Sequence, residues 1–394
     1  MPKFFKSTIL VLSILALSSQ SWATHIVGGD FYYKKIGTNL YTITLKLYID
    51  CENGNPNAIQ SDATAIISIW DAGTSNLKSL QYFSRTGPKR LNKLHYKCLI
   101  PPQDVCVDEY VYTRDLTIDP GKDGVIISFQ RCCRNNSITN IIEPESTGAT
   151  YWVQIPGTDV TNNNSSAVFK ELPPNYLCTD APLKFDHSAV DPDGDSLVYE
   201  LYQPYKGASR NQPRPDNGAN GQLQRPPFYT FAWKSPYHTN DQMGGDPILK
   251  IDSRTGELTV TPKNEGQFVI GIKVKEYRNG VLIGETLRDY QMNVKKCTFD
   301  LIAAFAAPTY ACSDTVHFTN KSYKASDYFW DFGDPTTDSD TSSEANPSYI
   351  YPGDGDYEVK LYAWNTVCND EYTFIVRVRT KIKFDLGPDL YFCN

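Results

Sequence analysis

No window of this 394-residue sequence sustains a helical period, which excludes a helix-bundle architecture. Histidine is scarce: the five present are scattered and no Cys-x-x-Cys pair occurs, so no zinc ligand set forms. There is no Gly-x-Ser-x-Gly elbow, no His-Glu-x-x-His pair and no glycine-rich phosphate loop. Positive charge is also short. The net charge is −7, and −9 once Lys3 and Lys6 are set aside (−7 − 2), which argues against nucleic acid as a partner. After residue 23 no run is apolar enough to span a bilayer, so no transmembrane segment is expected in the mature chain.

Present instead are 26 Tyr, 18 Phe and 6 Trp, with 25 Gly and 25 Pro, a composition that favours strands and tight turns. The fold class expected is all-β: tandem sandwich modules behind a cleaved signal peptide. Residues 1–23 read as that signal, with a positive start, an apolar run from Thr8 to Leu17 and a small-x-small site at Ser21-Trp22-Ala23. The mature chain then begins at Thr24 and is extracellular or held at the cell surface. Its ten cysteines read as disulfides in that oxidising setting.

A first β-rich module is expected over 24–160. Tyr41, Ile43, Leu45, Leu47 and Ile49 alternate with Thr42, Thr44, Lys46 and Tyr48, the pattern of a half-buried strand. Residues 65–70, 110–116, 125–131 and 150–155 are further strand candidates. The polar run 161–166 reads as a linker and 167–297 as a second module. In it, 207–227 is a long Gly/Pro/Asn/Gln-rich loop, functional or mobile, and strands resume over 228–233. Asp252 to Gly256 reads as a hairpin turn, and Asn279-Gly280 is the strongest hairpin signal in the chain. A third module is expected over 298–381, and 382–394 as the opening strand of a further one.

Cysteine connectivity stays open at this level. Cys98 and Cys106 form a local candidate pair, and Cys312 and Cys368 a pair across the third module. Successive strand side chains point to opposite faces. The vicinal Cys132 and Cys133 are therefore expected to hold separate partners, Cys51 for one and Cys178 for the other. Arg131 and Arg134 beside them read as solvated strand-end charges or an anion grip.

Asp191, Asp193 and Asp195 crowd three carboxylates into five residues around Gly194. Such a turn either caps backbone amides or shares a cation, and calcium takes six to eight oxygens, with Glu200 and Glu276 as further candidates. An acid–base pair for glycoside hydrolysis must flank its substrate from two sides, which one tight loop cannot do. The chain is therefore read as non-enzymatic.

Asp191 to Tyr199, with Thr255 to Pro262 and Gly266 to Ile272, resembles a cadherin-like immunoglobulin-fold domain of bacteria. That resemblance implies a calcium site in which Glu276 replaces the usual aspartate. Trp330, Asp331, Phe332, Gly333 and Asp334, followed by Pro347 to Tyr351 and Gly355 to Leu361, resemble the signature of a PKD domain, with Pro335 where glycine is usual. Its aspartates are read as turn residues and Trp330 as core. Thr24 to Asp30, Tyr48 to Gly54, Gln130 to Asn135 and Ile138 to Ile141 resemble the N-terminal region of gliding-motility-associated surface proteins of the Bacteroidetes group. The whole implies adhesion or surface organisation through an unknown protein or glycan ligand. The alternative is a carbohydrate-binding accessory region of a longer secreted enzyme.

Overall fold

A computed structural model of the protein describes residues 25–91, 97–100 and 104–380. The expected signal peptide, the start at Thr24 and the strand over 382–394 lie outside the described residues. No helix among them is long and apolar enough to cross a membrane.

The strands expected over 41–49, 65–70, 110–116, 125–131 and 150–155 are Leu40–Asp50, Thr64–Asp71, Val107–Thr117, Val125–Arg131 and Ala149–Ile155. The one α-helix described, Pro56–Ser61, follows Asn55, whose side chain accepts from the amides of Asn57 and Ala58. Asn279-Gly280 turns the chain between Gly266–Arg278 and Val281–Lys295, both residues taking positive φ (52° and 80°). Residues 228–233 do not form a strand. Only isolated bridges occur there, Tyr205 with Thr230 and Ile141 with Trp233.

The first two modules are not separate. One eleven-stranded sheet runs through both. Its junction is the pairing of Ile26–Gly37 with Val281–Lys295, where Asp30 stands opposite Arg288, while the other edge of Ile26–Gly37 pairs with Leu40–Asp50. Gly28 and Gly29 permit this central position. A Cβ on Gly28 would lie 2.7 Å from the Asp289 carbonyl oxygen, and one on Gly29 2.9 Å from that of Lys46. Tyr41, Ile43, Leu45, Leu47 and Ile49 face the first module's core as expected. Tyr48, from the face expected to be polar, is buried too: it packs on Tyr290 with ring centroids 5.8 Å apart and joins the second module's core. One strand therefore serves two cores.

The third module is a sandwich of its own. Gly355–Trp364 and Asn369–Val378 form its central hairpin, flanked by Asp327–Asp331 and Tyr310–Ala311. Trp330, Phe332, Val359 and Leu361 fill its core together with Phe305 and Phe318. Alternation along Asp327–Asp331 sends Trp330 inward and leaves Phe329 exposed.

The disulfides are Cys51–Cys106, Cys98–Cys368, Cys132–Cys133 and Cys178–Cys297. This corrects four expected pairings. Asp50 stands opposite Val107, so their neighbours Cys51 and Cys106 meet at the strand ends. Leu99–Ile100 pairs with Thr298–Phe299 and carries Cys98 away to the third module. Cys368 precedes the ten-residue strand Asn369–Val378, whereas Cys312 follows Ala311, the partner of Val378 at its far end. At ~3.3 Å per residue the two lie roughly 30 Å apart, against a Cα separation of about 5–6 Å in a disulfide. Cys312 is an exposed free thiol. Cys132 and Cys133 bond to each other across a cis peptide. The alternation rule does not reach them, because the strand ends at Arg131.

Candidate functional site: the acidic turn at the module junction

The acidic turn leads into the edge strand Ser196–Leu201 and packs against Gly266–Arg278. Gly194 takes φ +83°, and Asp191 Oδ1 accepts from the amides of Asp193 (2.8 Å) and Asp195 (3.1 Å). This is the self-capping expected of aspartate in a turn. The second Asp191 oxygen, Oδ2, is buried without a hydrogen-bond partner. Burial, then the neighbouring charges of Asp195 and Asp193, raises the Asp191 carboxyl above its ordinary range. The three carboxylates offer oxygens within 4.8 Å of one another.

Residues 161–166 are not a loose linker. Asn164, Ser165 and Ser166 are buried. The Ser165 amide donates to Asp193 Oδ2 (2.5 Å), and the amide of Tyr33, in the first module, donates to Ser166 Oγ (2.9 Å). Asn164 Nδ2 donates to Tyr33 Oη (2.9 Å) and to Glu276 Oε2 (3.1 Å). The segment locks the turn of one module onto the first strand of the other.

Glu276 is fully buried and accepts at Oε1 from the Ala167 amide (2.8 Å) and from Thr286 Oγ1 (3.3 Å). Burial, reinforced by the Asp191 charge, pushes its carboxyl up to about 7. Glu200, the other candidate ligand, is not at the cluster. It stands opposite Lys273 and pairs with Lys275 (2.9 Å) and Lys273 (3.6 Å).

A residue not anticipated from the sequence completes the site. Arg278 clamps Asp195 with Nε at 2.7 Å and Nη2 at 2.5 Å, and also donates to the Asn163 carbonyl (2.6 Å) and to Asn164 Oδ1 (3.1 Å). Its signal was period two: Arg278 follows Glu276 by two residues on one strand and so shares its face.

Donor type and charge fit a divalent cation. Three aspartate carboxylates gather around one guanidinium, Arg278 lying 2.5 Å from Asp195 and 3.9 Å from Asp193, and Asp191 Oδ2 has no hydrogen-bond partner. Asp191 and Asp193 would hold the ion, and Asp195 would join them only by giving up its two-pronged bond to Arg278. Glu276 would act beside it, since protein donors already engage both its oxygens.

Two buried ion pairs stand at the same seam. Arg288 grips Asp30 through Nε and Nη2, both at 2.7 Å, with Tyr48 Oη also donating to Asp30 (2.7 Å). Arg134 binds Asp289 in a two-pronged contact (Nη1 to Oδ1 3.0 Å). Arg131 pairs with Asp62 (2.9 Å), which also bonds His25 Nε2 (2.6 Å). Arg131 and Arg134 are therefore neither solvated nor free to grip an anion. The long 207–227 segment is a strap: Cys132 N and Arg131 Nη1 donate to the Pro213 carbonyl, and the Gln224 amide donates to Gln130.

In the third module the signature aspartates cap turns. Asp331 accepts from the Gly333 amide (2.9 Å), and Asp334 accepts from the Thr336 amide (2.9 Å) and from Tyr349 Oη (2.9 Å).

Residues 304–378 match the family model of the PKD domain. Among solved structures, the chain is similar to the PKD1 domain of Vibrio anguillarum Epp at 27% identity, covering 21% of this chain and 95% of that one with a TM-score of 0.18. The amphioxus IgVJ-C2 molecule matches at 13% identity over 51% of this chain and 99% of its own, TM-score 0.15. Extracellular domains 3–5 of Drosophila OTK match at 11% identity over 85% and 92%, TM-score 0.16. No curated protein sequence matches the chain.

Proposed function

We propose that this chain is an exported, non-enzymatic β-module array working in adhesion or surface organisation, with gliding motility the association its N-terminal resemblance suggests. The observation that carries this reading is the construction of residues 25–297. Two modules share one sheet and bury ion pairs across their seam, with a PKD domain stapled on by Cys98–Cys368. Such a block serves spacing and presentation, since two fused cores resist bending where two linked domains would hinge. Four disulfides accord with an oxidising compartment and with the leader read over 1–23. In the source cells, deleting the chain should reduce attachment to surfaces. Attachment at the wild-type level would overturn the adhesion reading.

Calcium belongs to the same proposal, as a stiffener of the seam at Asp191, Asp193 and Asp195 with Glu276 alongside. Calorimetry on the complete chain should show calcium binding that Asp193→Ala and Asp195→Ala abolish. Absence of heat with the intact chain would end the calcium reading. The second reading, a carbohydrate-binding accessory region of a longer secreted enzyme, is favoured by an aromatic cluster beside the seam, where Trp152 packs on Tyr205 (5.9 Å) and Phe228 (6.2 Å).

A further inference from the structure

On the flank of the same seam, where Gly284 stands opposite Glu276, the two modules line a cleft of about 210 Å³. One wall is the outer face of Ala149–Ile155. Tyr151 and Val153 point into the first module's core, so alternation turns Trp152 and Gln154 outward. The opposite wall is the second module's Val281–Lys295 strand, through Leu282, Ile283 and Glu285. Val160 and Asp123 border the opening, and Val160 and Leu282 are exposed (51% and 44%).

The lining sorts by chemistry. Trp152 is held on one side by Tyr205 and Phe228, with Tyr202 beyond Tyr205 (6.0 Å), so the indole is braced. Aliphatic groups face it. Around them stand three polar side chains, Asp123, Gln154 and Glu285, rich in acceptor oxygens.

We propose that this cleft binds one ring of a neutral saccharide. A sugar ring has a C–H face that packs on an aromatic ring, and hydroxyls at its rim that donate to carboxylates and amides. The lining offers both, and each hydroxyl–carboxylate bond is of the stronger, charge-assisted kind. Two carboxylates exclude an anionic ligand. Glu285 already pairs with Lys273 at 3.4 Å, and its remaining lone pairs suit neutral donors. A cationic ligand is the competing occupant, and the lysine-rich peptide below tests it. The volume is below the roughly 300–1,000 Å³ of pockets that enclose a drug-sized ligand. One ring of a longer glycan fits, with the rest of the chain running over the exposed apolar border.

The proposal names a ligand class for the extracellular binding protein inferred above and rests on that reading. The purified complete chain is applied to an array of neutral hexose and N-acetylhexosamine oligosaccharides, with sulfated and sialylated glycans and a lysine-rich peptide as comparisons. Retention of at least one neutral oligosaccharide is expected. In titrations with it, Trp152→Ala should weaken binding about tenfold or more, since the stacking surface is lost. Trp152→Phe should retain most of the affinity. Gln154→Ala and Glu285→Gln, at half-buried side chains, should weaken it several-fold to tenfold with the fold unchanged. Retention of no neutral glycan would overturn the proposal. So would retention of sulfated glycans or the peptide alone, or affinity unchanged in both Trp152→Ala and Gln154→Ala. The attachment assay on whole cells is a separate readout: lost attachment with no glycan retained would sink this site and leave the adhesion reading standing.

Discussion

The chain has two junctions, and they are built on different principles. Between the first and second modules, backbone pairing is continuous. Asp30 and Arg288, partners in register, form an ion pair that is almost wholly buried. Tyr48 leaves one module to complete the other's core. Between this block and the PKD domain, pairing shrinks to Thr298–Phe299 against Leu99–Ile100. The packing of Cys98 on the third module's Leu301, Ala303 and Ala363, its bridge to Cys368 and the exposed Lys97–Glu371 pair do the rest. The first junction is part of a folding unit. The second is a docked and tethered contact, of the kind that permits relative domain motion.

The largest test of that difference removes one member of a buried pair. Arg288→Ala strands Asp30 in the seam and should cost about 3–5 kcal/mol. In denaturant the transition of residues 25–297 should move while that of the PKD domain stays. Trp330→Ala should do the reverse, taking about 3–5 kcal/mol from the PKD core alone. If each variant moved both transitions equally, the two-junction picture would be wrong.

A smaller effect comes from Glu276, at the seam. Its folded carboxyl titrates near 7 rather than 4.5, so the folded state holds a proton that the unfolded state has released. The Glu276 contribution to the stability of the block in a chelating buffer should therefore fall as pH rises from about 4.5 to 7, by up to about 3 kcal/mol. His187, buried in the same block with its imidazole pushed well below its ordinary range, works in the opposite direction over this window, so the test is the difference between wild type and Glu276→Gln: an identical slope in the two would contradict the burial argument. The smallest effects belong to the tether. Cys98→Ser should broaden the solution-scattering envelope as the PKD domain swings, with the block's transition in place. Lys97→Ala should change stability by less than about 0.5 kcal/mol, being an exposed pair.

Much of the secondary structure was legible in residues 41–49, 125–131 and 150–155, because period-two alternation and Asn279-Gly280 are local signals. The PKD signature was legible for the same reason: Trp330 and Phe332 alternate within one strand and need no distant partner to be read as core. Residues 228–233 misled, because apolar and aromatic residues that look like a strand there run as irregular chain, with Phe231 and Trp233 packed on Ile138, Ile141 and Val269. At the candidate site, the aspartates were visible as a crowd of like charges. Arg278 and the locking role of Asn164 to Ser166 were not, since polar residues in a run look the same whether solvated or clamped.

The sequence by itself determined an all-β chain, where its hairpins turn, and which faces carry the first module's and the PKD domain's cores. Each of these follows from neighbours a few positions apart. Only the tertiary structure decided that two modules are one block, because the pairing of Asp30 with Arg288 joins residues 258 apart. It also decided the cysteine partners, which depend on which strand ends meet, and the cleft at Trp152, whose walls come from different modules. Pairing register and the packing of one core on another set those features, and neither is written in any local stretch.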